Sequence, residues 1–577
     1  MKKWLYKESQ NSELVTQLSD ELSVPYTISN LLVQRGIEDF ETAKTFFTPS
    51  WEQVHDPFLM KDMELAVERI GKALANDEKI MVYGDYDVDG TTAVSLVYSF
   101  LKKFHDLIDY YIPDRYTEGY GVSMKGVQHA IDNDFKLIIA LDCGIKAVDK
   151  VAHAKANGVD FIICDHHRPG DEIPEAVAIL DPKQDDCNYP FDELCGCGIG
   201  FKLAQAFAAE NGLDGSELAE YLDLVAIATA SDIVPINGEN RVLCSYGLDR
   251  LNKQPRIGIQ SFIEAANKSK FNVTDLLFTI GPRINAAGRI HSGKKAVELL
   301  ISDNRVAAKI VADEINAFNL ERRELDKNIT EEALSMIAND PEMLKRKSTV
   351  LYSPDWHKGV IGIVASRVME TYYRPTIILT KSGEVLAGSA RSVREFDVYN
   401  ALSECTNELT QFGGHMYAAG MTMEESKLEA FSQQFENTVA NTIKDDQLIQ
   451  QIEVDAEIDF KELEPDVNGN PLPKIYRLIE RFAPFGPTNL RPVFVTKNIV
   501  DNGYSAAIGS DKSHLKLNIV QQGNPAFKVA AIAFKMGHLA DRIKSGEPFS
   551  IAYSIEVNEW RNTINLQLNV KDIKFEN

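Results

Sequence analysis

Four short runs of apolar residues mark the N-terminal part of the chain. They cover residues 80–83, 108–112, 137–141 and 161–164, and a charged residue, Asp109, interrupts only the second. The stretches between them have helical character, at about 91–104, 123–133 and 146–157. Strands that are apolar throughout and alternate with helices indicate a parallel sheet with both faces covered. The pattern therefore predicts an α/β domain, preceded by short helices over residues 24–70.

The second half of the chain is organised differently. Residues 294–347 are helical and rich in charge, which predicts a solvated helix connecting two domains. A second α/β segment follows, with a predicted helix near 360–372 and predicted strands near 349–353, 375–379 and 385–390. From residue 452 onward apolar and polar residues alternate as in strands, with one predicted helix near 535–543. This last part predicts a small β-barrel of the OB-fold type.

Together these patterns predict an α/β protein in four parts. A chain of 577 residues is long enough for several domains, each with its own core. The expected parts are an N-terminal segment with the parallel-sheet domain (1–245), a connecting helical region (246–347), a smaller α/β domain (348–451) and a barrel (452–577).

The formal net charge of -24 argues at first against a nucleic-acid partner, because phosphate binding needs positive potential. The acidic excess is unevenly distributed, since residues 452–577 contain 16 Asp and Glu against 15 Lys and Arg. Almost all of the excess lies in the first 451 residues, and part of it forms tight clusters typical of metal sites. Bound cations and a local basic groove would allow such a protein to bind a polyanion.

The seven cysteines have irregular spacing and no C-x-x-C pair, so the sequence offers no structural zinc site. Cys195 and Cys197 could be redox-active, but reduced thiols in a cytosolic fold are the simpler interpretation. The first ten residues lack the apolar core of a signal peptide, and no run of about 18 apolar residues predicts a membrane span. We therefore expect a cytoplasmic protein.

The densest acidic motif is the loop Gly-Asp-Tyr-Asp-Val-Asp-Gly, directly after the first apolar run and before a helix. Alternate residues of an extended loop point to the same side, so Asp85, Asp87 and Asp89 can converge. Adjacent carboxylates repel one another unless cations neutralise them, and oxygen ligands suit Mg²⁺ or Mn²⁺. A calcium-binding EF-hand is the alternative. It needs a carboxylate at the twelfth loop position, which here is Leu96 or Tyr98, depending on where the loop starts.

Further candidate ligands follow the next predicted strands. Asp142 follows the third apolar run, and Asp165, His166 and His167 follow the fourth. Parallel α/β sheets bind ligands at the carboxyl ends of their strands. A single Asp there is usually a cap and a His pair is usually structural, but the coincidence at three strand ends favours a metal site. Asp232, in a segment of small residues, would on its own be an ordinary helix-end residue.

The ordered set of motifs resembles the DHH phosphoesterase family, in which a D-x-D-x-D-G loop is followed by a single Asp, a D-H-H triplet and a further Asp. It is most similar to the RecJ branch of that family. The similar segments extend from about residue 25 to the C terminus and include 55–62, 110–121, 281–289, 355–367, 388–392 and 413–415. The resemblance implies a DHH domain, a DHH-associated domain and an OB-fold barrel.

The resemblance also implies two divalent metal ions, Mn²⁺ first and Mg²⁺ as the other choice. The expected ligands are Asp85, Asp87 and Asp142 for one ion, and Asp89, Asp142, His166 and Asp232 for the other. Asp142 would bridge the ions at the spacing that phosphoryl displacement needs. Asp165 would orient the histidines and His167 would face the scissile phosphate, which makes Asp142, Asp165 and His167 the expected catalytic residues.

A phosphate-binding surface between the two α/β domains is implied in the same way. Its expected members are Arg115, Arg283, Asn285, Arg289, His357, Ser389, Arg391, Gly413, Gly414 and His415. The glycine pair would allow close backbone approach, and Ser389 and Arg391 offer a hydroxyl and a guanidinium fork to phosphate oxygens. Candidates on the barrel for holding a strand by charge or stacking are Arg477, Arg481, Arg491, Lys512, Lys516, Phe482, Phe485, Tyr504 and Trp560. Most of these aromatics are expected in the core.

The implied activity is a 5′-to-3′ exonuclease specific for single-stranded DNA, which releases 5′-mononucleotides in DNA repair and recombination. The family's partners are single-strand binding protein and a RecQ-type helicase. Two alternatives stay open: a small-substrate DHH phosphodiesterase acting on oligoribonucleotides or cyclic dinucleotides, and a non-catalytic scaffold of a replicative helicase. The β-rich stretch after residue 452 argues against the first, and the complete set of metal-ligand candidates argues against the second.

Overall fold

The computed structural model describes residues 2–7, 11–266, 268–465, 472–560 and 563–575, apart from the side chain of Trp560. One strand and four helices precede the first sheet: β1 (Lys3–Tyr6), α1 (Ser12–Leu22), α2 (Tyr26–Val33), α3 (Phe40–Phe47) and α4 (Met63–Ala75). The side chains of Asn11 and Asp39 cap α1 and α3 by accepting hydrogen bonds from backbone N–H groups that a helix start leaves unpaired.

A parallel sheet in the order β3-β2-β4-β5-β6 forms the first α/β domain. Its strands are β2 (Lys79–Gly84), β3 (Ile108–Tyr111), β4 (Phe135–Leu141), β5 (Asp160–Cys164) and β6 (Ala178–Leu180). Its helices are α5 (Val88–Leu101), α6 (Met124–Asp132), α7 (Val148–Ala156), α8 (Gly196–Glu210), α9 (Leu222–Ser231) and α10 (Gly238–Lys253). Alternate residues of β2 enter two apolar clusters, Ile80 and Val82 on one face and Met81 and Tyr83 on the other. Burial of both faces confirms the predicted parallel sheet.

Six helices lead to the second α/β domain: α11 (Ile257–Ala266), α12 (Val273–Asp275), α13 (Gly281–Ile290), α14 (Lys294–Leu300), α15 (Arg305–Ala338) and α16 (Pro341–Lys345). The stretch predicted as one long helix is three helices. It breaks before α15 because the Asn304 side chain caps that helix, accepting from the backbone N–H groups of Val306 and Ala307. α15 is also not simply solvated, since its first half packs in the core of the first domain and its second half against α17 of the next.

The second α/β domain has a mixed sheet in the order β10-β11-β9-β8-β7, in which only the β7–β8 pair is parallel. Its strands are β7 (Thr349–Tyr352), β8 (Thr376–Ser382), β9 (Val385–Arg391), β10 (Gln411–His415) and β11 (Ala418–Met423). Its helices are α17 (Ile361–Tyr372), α18 (Val398–Ser403) and α19 (Leu428–Thr442). The strands and the helix predicted over 349–390 are present.

The C-terminal part is a partly closed ring of strands in the order β13-β14-β18-β19-β17-β16-β15, with an additional pairing of β14 to β16. Its strands are β12 (Gln451–Val454), β13 (Ala456–Glu457), β14 (Phe494–Asp501), β15 (Ala506–Ile508), β16 (His514–Gln521), β17 (Asn524–Ala533), β18 (Phe549–Trp560) and β19 (Thr563–Phe575). Two short helices accompany them, α20 (Lys474–Glu480) and α21 (Ala540–Lys544). The predicted barrel is therefore confirmed.

The N-terminal segment packs on this barrel. β1 pairs in parallel with β12, and Leu18, Ile28 and Leu31 share a buried cluster with Phe460 and Phe494 of the barrel. The sequence grouping of residues 1–245 did not anticipate this contact, because periodicity identifies the apolar face of a helix but not the surface that covers it. In the part of the chain that the structure describes, no helix combines the length and apolar character needed to cross a membrane.

Candidate metal centre and phosphate pocket

The parallel sheet collects acidic residues where three neighbouring strands end. The last residues of β2, β4 and β5 pair with one another in register. The residues that follow, Asp85, Asp142 and Asp165, therefore lie side by side, and all three are buried. This is the strand edge at which parallel α/β sheets bind their ligands.

The acidic loop after β2 does not stay extended as the sequence analysis assumed. It turns into α5, where Asp87 caps the helix by accepting from Gly90 N at 3.0 Å and Asp89 lies in the first turn. Asp89 reaches the start of α8 and accepts from the backbone N–H groups of Gly196 (2.6 Å) and Cys197 (2.8 Å). Burial and the charge of Asp87 raise the pKa of Asp89 to about 7, although these two N–H groups act in the opposite direction.

Sequence reasoning missed the contribution of Gly196 and Cys197. Cys195 and Cys197 were considered only as thiols, whereas the backbone N–H groups of Gly196 and Cys197 bind Asp89. The available signal was a Gly-x-Gly-x-Gly run over residues 196–200, a pattern typical of close backbone approach to an anion. A Cβ atom at residue 196 would lie 2.6 Å from Asp142 Cβ, so only glycine fits there.

His166 lies at the centre of the cluster. Its Nε2 is 3.1 Å from Asp142 Oδ1, 3.6 Å from Asp232 Oδ2 and 3.8 Å from Asp89 Oδ2. The ligand atoms of Asp89, His166 and Asp232 lie within 4.8 Å of one another, as do those of Asp142, His166 and His167. Burial, with the charge of His167, lowers the pKa of His166 to about 3, so the ring is neutral at physiological pH and keeps a free lone pair.

Asp165 holds both histidines in place. Its Oδ1 accepts from His166 N (2.8 Å) and from His167 Nδ1 (2.7 Å), and its Oδ2 accepts from Ile145 N (2.9 Å). Burial alone would raise the pKa of Asp165, but these hydrogen bonds and the charge of His167 lower it to about 2. Burial would lower the pKa of His167, yet the bond to Asp165 raises it. The exposed Nε2 of His167 faces Tyr120 Oη at 3.3 Å.

The cluster fits divalent cations. Burial, followed by neighbouring carboxylates, raises the pKa of Asp85, Asp142 and Asp232 well above the ordinary value. Asp85 Oδ2 is buried and has no hydrogen-bond partner among the described residues. A cation would satisfy this oxygen and remove the repulsion, and a set of carboxylates with one imidazole suits a hard divalent ion.

A pocket of arginines adjoins the cluster. Burial lowers the pKa of Arg289 to about 10, and the charges of Arg115, Arg322 and Arg391 contribute, so these guanidinium groups lie near one another. Within the described ranges no carboxylate lies at salt-bridge distance from Arg115, Arg289 or Arg391. These arginines are half-buried, and like charges that are partly desolvated without acidic partners indicate a site for an anion.

Three contacts fix the shape of this pocket. Arg391 Nη1 donates to Ser389 Oγ at 2.9 Å. Gly362, in the first turn of α17, approaches both side chains so closely that a Cβ would lie 2.9 Å from Arg391 Nη2. Arg115 stacks on the ring of Tyr86, 4.8 Å from its centroid. The pocket is therefore bounded by both α/β domains.

Of the remaining predicted phosphate residues, those in the second α/β domain are His357, Gly413, Gly414 and His415. His415 is exposed on β10 beside Gly413 and Gly414, and its pKa is lowered by partial burial and then by the charge of His167. His357 precedes α17, and its Nδ1 accepts from Gly359 N at 3.1 Å.

Arg283 lies apart from the arginine pocket. It donates to Asn316 Oδ1 at 2.9 Å and to Thr279 O, and stacks on Phe262. Asn285 lies half-buried on the same helix as Arg283.

Three basic residues near the cleft were missed by the sequence analysis. Their charges contribute to the lowered pKa of His415, after its partial burial and the charge of His167: Lys146, Arg168 and Lys183. Each follows a strand-end motif by a few residues, and this position was the available signal.

Few of the barrel candidates are free to hold a strand. Phe482 is fully buried, and Arg491 is paired with Glu480 at 2.7 Å. Arg481 stacks on a phenylalanine of α3 and Phe485 is covered by Arg491, while Arg477 has a partner of its own. Tyr504, Lys512 and Lys516 are exposed, and Tyr504 is 74% accessible. The side chain of Trp560 lies outside the described residues.

Three family profiles match this architecture. Residues 79–229 match the DHH family, N-terminal domain; residues 345–441 match the DHHA1 domain; and residues 454–572 match the RecJ OB domain. Together with the Asp and His cluster at the strand ends, they define a DHH-family protein with a DHHA1 domain and an OB domain.

Full-length relatives make the assignment more specific. The chain is 37% identical, over 97% of its length, to the single-stranded-DNA-specific exonuclease RecJ of Bacillus subtilis strain 168, of which it covers 70%. It is 33% identical to RecJ of Haemophilus influenzae, with 90% of this chain and 92% of that protein aligned. The crystal structure of RecJ in complex with Mn²⁺ from Thermus thermophilus superposes on the whole chain and on 80% of its own length, with a TM-score of 0.83 and 26% identity. The chain belongs to the RecJ family.

Proposed function

We propose that this protein is a metal-dependent exonuclease specific for single-stranded DNA, which cuts from the 5′ end and releases 5′-mononucleotides in DNA repair and recombination. The observation that carries the proposal is the cluster of carboxylates around the neutral His166, next to an arginine pocket without acidic partners. Relatives named as single-stranded-DNA-specific exonucleases support the substrate class. The attached OB domain supports a long single strand over a small nucleotide substrate.

We infer two metal positions from the donor set. Asp85, Asp87 and Asp142 would hold one ion, and Asp89, Asp142, His166 and Asp232 the other. When bound, such ions lower the pKa of a water nucleophile and stabilise both the attacking and the leaving oxygen of the phosphoryl group. Asp165 keeps His166 and His167 oriented, and His167 presents its Nε2–H to a phosphate oxygen. RecJ structures with Mn²⁺ and with Mg²⁺ support this class of ion.

End selection would come from the arginine pocket. Arg115, Arg289 and Arg391 with Ser389 would bind a terminal 5′ phosphate, and the walls of the pocket would block a continuing chain. A charge-assisted bond from a guanidinium to a phosphate is worth roughly 1.5–3 kcal/mol. The cleft is bounded by both α/β domains, which favours a single strand over a duplex.

Arg391→Ala is expected to lower kcat/KM on 5′-phosphorylated strands by about ten- to a hundredfold, because one bidentate phosphate contact is lost. The preference over 5′-hydroxyl strands should largely disappear. The measurement is steady-state digestion of both substrates. Arg394→Ala is the matched control, since this neighbouring arginine is paired with Glu453 at 2.6 Å outside the pocket. An unchanged 5′-phosphate preference in the Arg391 variant would remove Arg391 from the pocket, and a 3′-to-5′ product ladder would refute the polarity.

The barrel is proposed to hold the strand away from the chemistry. Deleting it from residue 452 is a poor test, because the N-terminal helices share its core. A better test is the double variant Tyr504→Ala/Lys516→Ala, which removes two exposed side chains of the barrel. It should raise KM for strands of about 40 nucleotides roughly tenfold, since one stacked base is worth about 1–3 kcal/mol. Cleavage of a trinucleotide, the internal control, should change less than twofold. Equal effects on both substrates would contradict the proposed role.

We also propose that the protein is cytoplasmic and that it binds single-strand binding protein and a RecQ-type helicase. These proposals follow from the family's activity. A pull-down of the full chain with each purified partner, at physiological salt, tests the two contacts directly. If neither partner binds, both proposed contacts are refuted.

A further inference from the structure

A loop of the barrel contacts the segment that carries Asp232. Asp232 ends α9, and the chain continues through Ile233, which has a φ of 61°. A β-branched residue rarely adopts this conformation, and the Ile233 side chain is 61% exposed, so its own packing does not hold it there. Three residues later, the fully buried Ile236 donates its N–H to Pro487 O at 2.8 Å. The loop between α20 and β14 therefore holds the backbone that follows Asp232.

The close approach of this loop depends on Gly486. A Cβ at that position would lie 2.4 Å from Ile236 Cγ1. Gly486 and Asn489 exchange two backbone hydrogen bonds, and Asn489 Nδ2 donates to the carbonyl oxygens of Phe482 and Pro484 at 2.8 and 2.9 Å. The loop thus has a defined shape before it meets the first domain.

Arg241, on α10 of the first domain, forms hydrogen bonds with the same loop. Its guanidinium donates to the carbonyl oxygens of Phe482 (2.7 Å), Ala483 (2.9 Å) and Phe46 (3.1 Å), and the residue is only 4% exposed. Among the described residues no carboxylate lies at salt-bridge distance from Arg241. Its charge is met by carbonyl dipoles from the barrel and α3, an arrangement that uses the planar fork of arginine.

A second side chain links this attachment to the metal cluster. Asn240 is fully buried, and its Nδ2 donates to Pro235 O at 3.0 Å and to Glu193 O at 2.6 Å. The first bond fixes the turn between Asp232 and α10. The second ties α10 to the approach to α8, whose first N–H groups hold Asp89.

We propose that Arg241 is a positioning residue for the metal centre. By clamping the barrel loop against residues 233–240, it sets the place of the Asp232 carboxylate relative to His166. The barrel is then part of the support of the metal site and not only a module that holds the strand. The inference rests on the proposed role of Asp232 as a metal ligand.

The test measures Mn²⁺ binding to the full chain by electron paramagnetic resonance of the free ion. Arg241→Met should weaken one of the two Mn²⁺ sites about tenfold, the size of effect seen when support around a metal ligand is lost. Arg241→Lys should recover part of the affinity, because an ammonium group can still donate to three carbonyls. Arg374→Met is the matched control: Arg374 is also 4% exposed and bound to neutral oxygens, but it lies in the second α/β domain. In Arg374→Met, both Mn²⁺ sites should keep their affinity within twofold.

Gly486→Ala provides a second route if the Arg241 variant does not fold. It leaves Arg241 in place and forces the loop away from Ile236, so it should weaken the same Mn²⁺ site. If the Arg241→Met protein folds and binds both ions with wild-type affinity, the inference is overturned. If that variant does not fold, wild-type affinity for both ions in Gly486→Ala overturns it. A wild-type protein that binds two Mn²⁺ ions but digests no single strand would instead overturn the proposed function and leave this inference standing.

Discussion

Asp142→Asn is expected to reduce turnover of a 5′-phosphorylated single strand at least about a thousandfold, which corresponds to about 4 kcal/mol of transition-state stabilisation. Asp142 makes the shortest contact of the three carboxylates around His166 Nε2, at 3.1 Å, and belongs to both proposed ligand sets. Asparagine is the appropriate replacement because residue 142 has a φ of 58°, which Asn adopts more readily than Ala. It also keeps the volume that packs against Gly196.

A matched control is available at the end of β6, two strands further along the sheet. Asp181 follows β6 and is buried like Asp142, and its carboxylate accepts a hydrogen bond only from Lys183 N among the described contacts. Asp181→Asn should change turnover by a few-fold at most. Both variants should give the wild-type circular dichroism spectrum. Turnover near wild type in Asp142→Asn would refute the bridging assignment, and an equal loss in both variants would point to a structural cause.

Removal of divalent metal should abolish hydrolysis altogether. EDTA treatment is expected to bring digestion of end-labelled single strands below detection, and added Mn²⁺ or Mg²⁺ should restore it, because carboxylate-rich sites bind hard ions that exchange readily. Restoration by Zn²⁺ alone would show that the proposed class of metal is wrong.

A measurement without substrate separates metal binding from catalysis. A ligand present at a hundredfold excess over its Kd stabilises the folded state by about 2.7 kcal/mol, so Mn²⁺ should raise the Tm of the EDTA-treated protein by several degrees. In Asp142→Asn the rise should be smaller, because a shared ligand is lost and the repulsion of Asp142 with Asp89, Asp87 and Asp232, which a cation would relieve, is already reduced. A rise equal to that of the wild type would contradict the role of Asp142 in binding.

The strand-end residues were predictable because strand pairing is regular. Apolar runs identify the strands of a parallel sheet, and a residue that directly follows such a run lies at the ligand-binding edge. This reasoning alone found Asp142 and the D-H-H triplet. Asp232 was different, since its place beside His166 depends on how α9 packs, and only the resemblance to a family suggested it.

The support of the site could not be predicted in the same way. Gly196 and Cys197 bind Asp89 through their backbone N–H groups. Such a contact depends little on side-chain identity, so the sequence gives little indication of it. Arg115, Arg289 and Arg391 come from distant parts of the chain and are brought together only by the packing of the two α/β domains. Arg283, from the same motif as Arg289, points elsewhere because the two positions lie about one and two-thirds helical turns apart.

The sequence by itself determined the order of the elements, the parallel sheet, the barrel and the chemistry of the strand-end cluster, because these depend on local periodicity and on residues next to strands. Only the tertiary structure decided which surfaces meet: the N-terminal helices on the barrel, the barrel loop under Asp232, and the arginines around one pocket. Apolar faces and buried carbonyl groups are satisfied by any complementary partner, so their pairing follows from the packing of the whole chain and not from a local pattern.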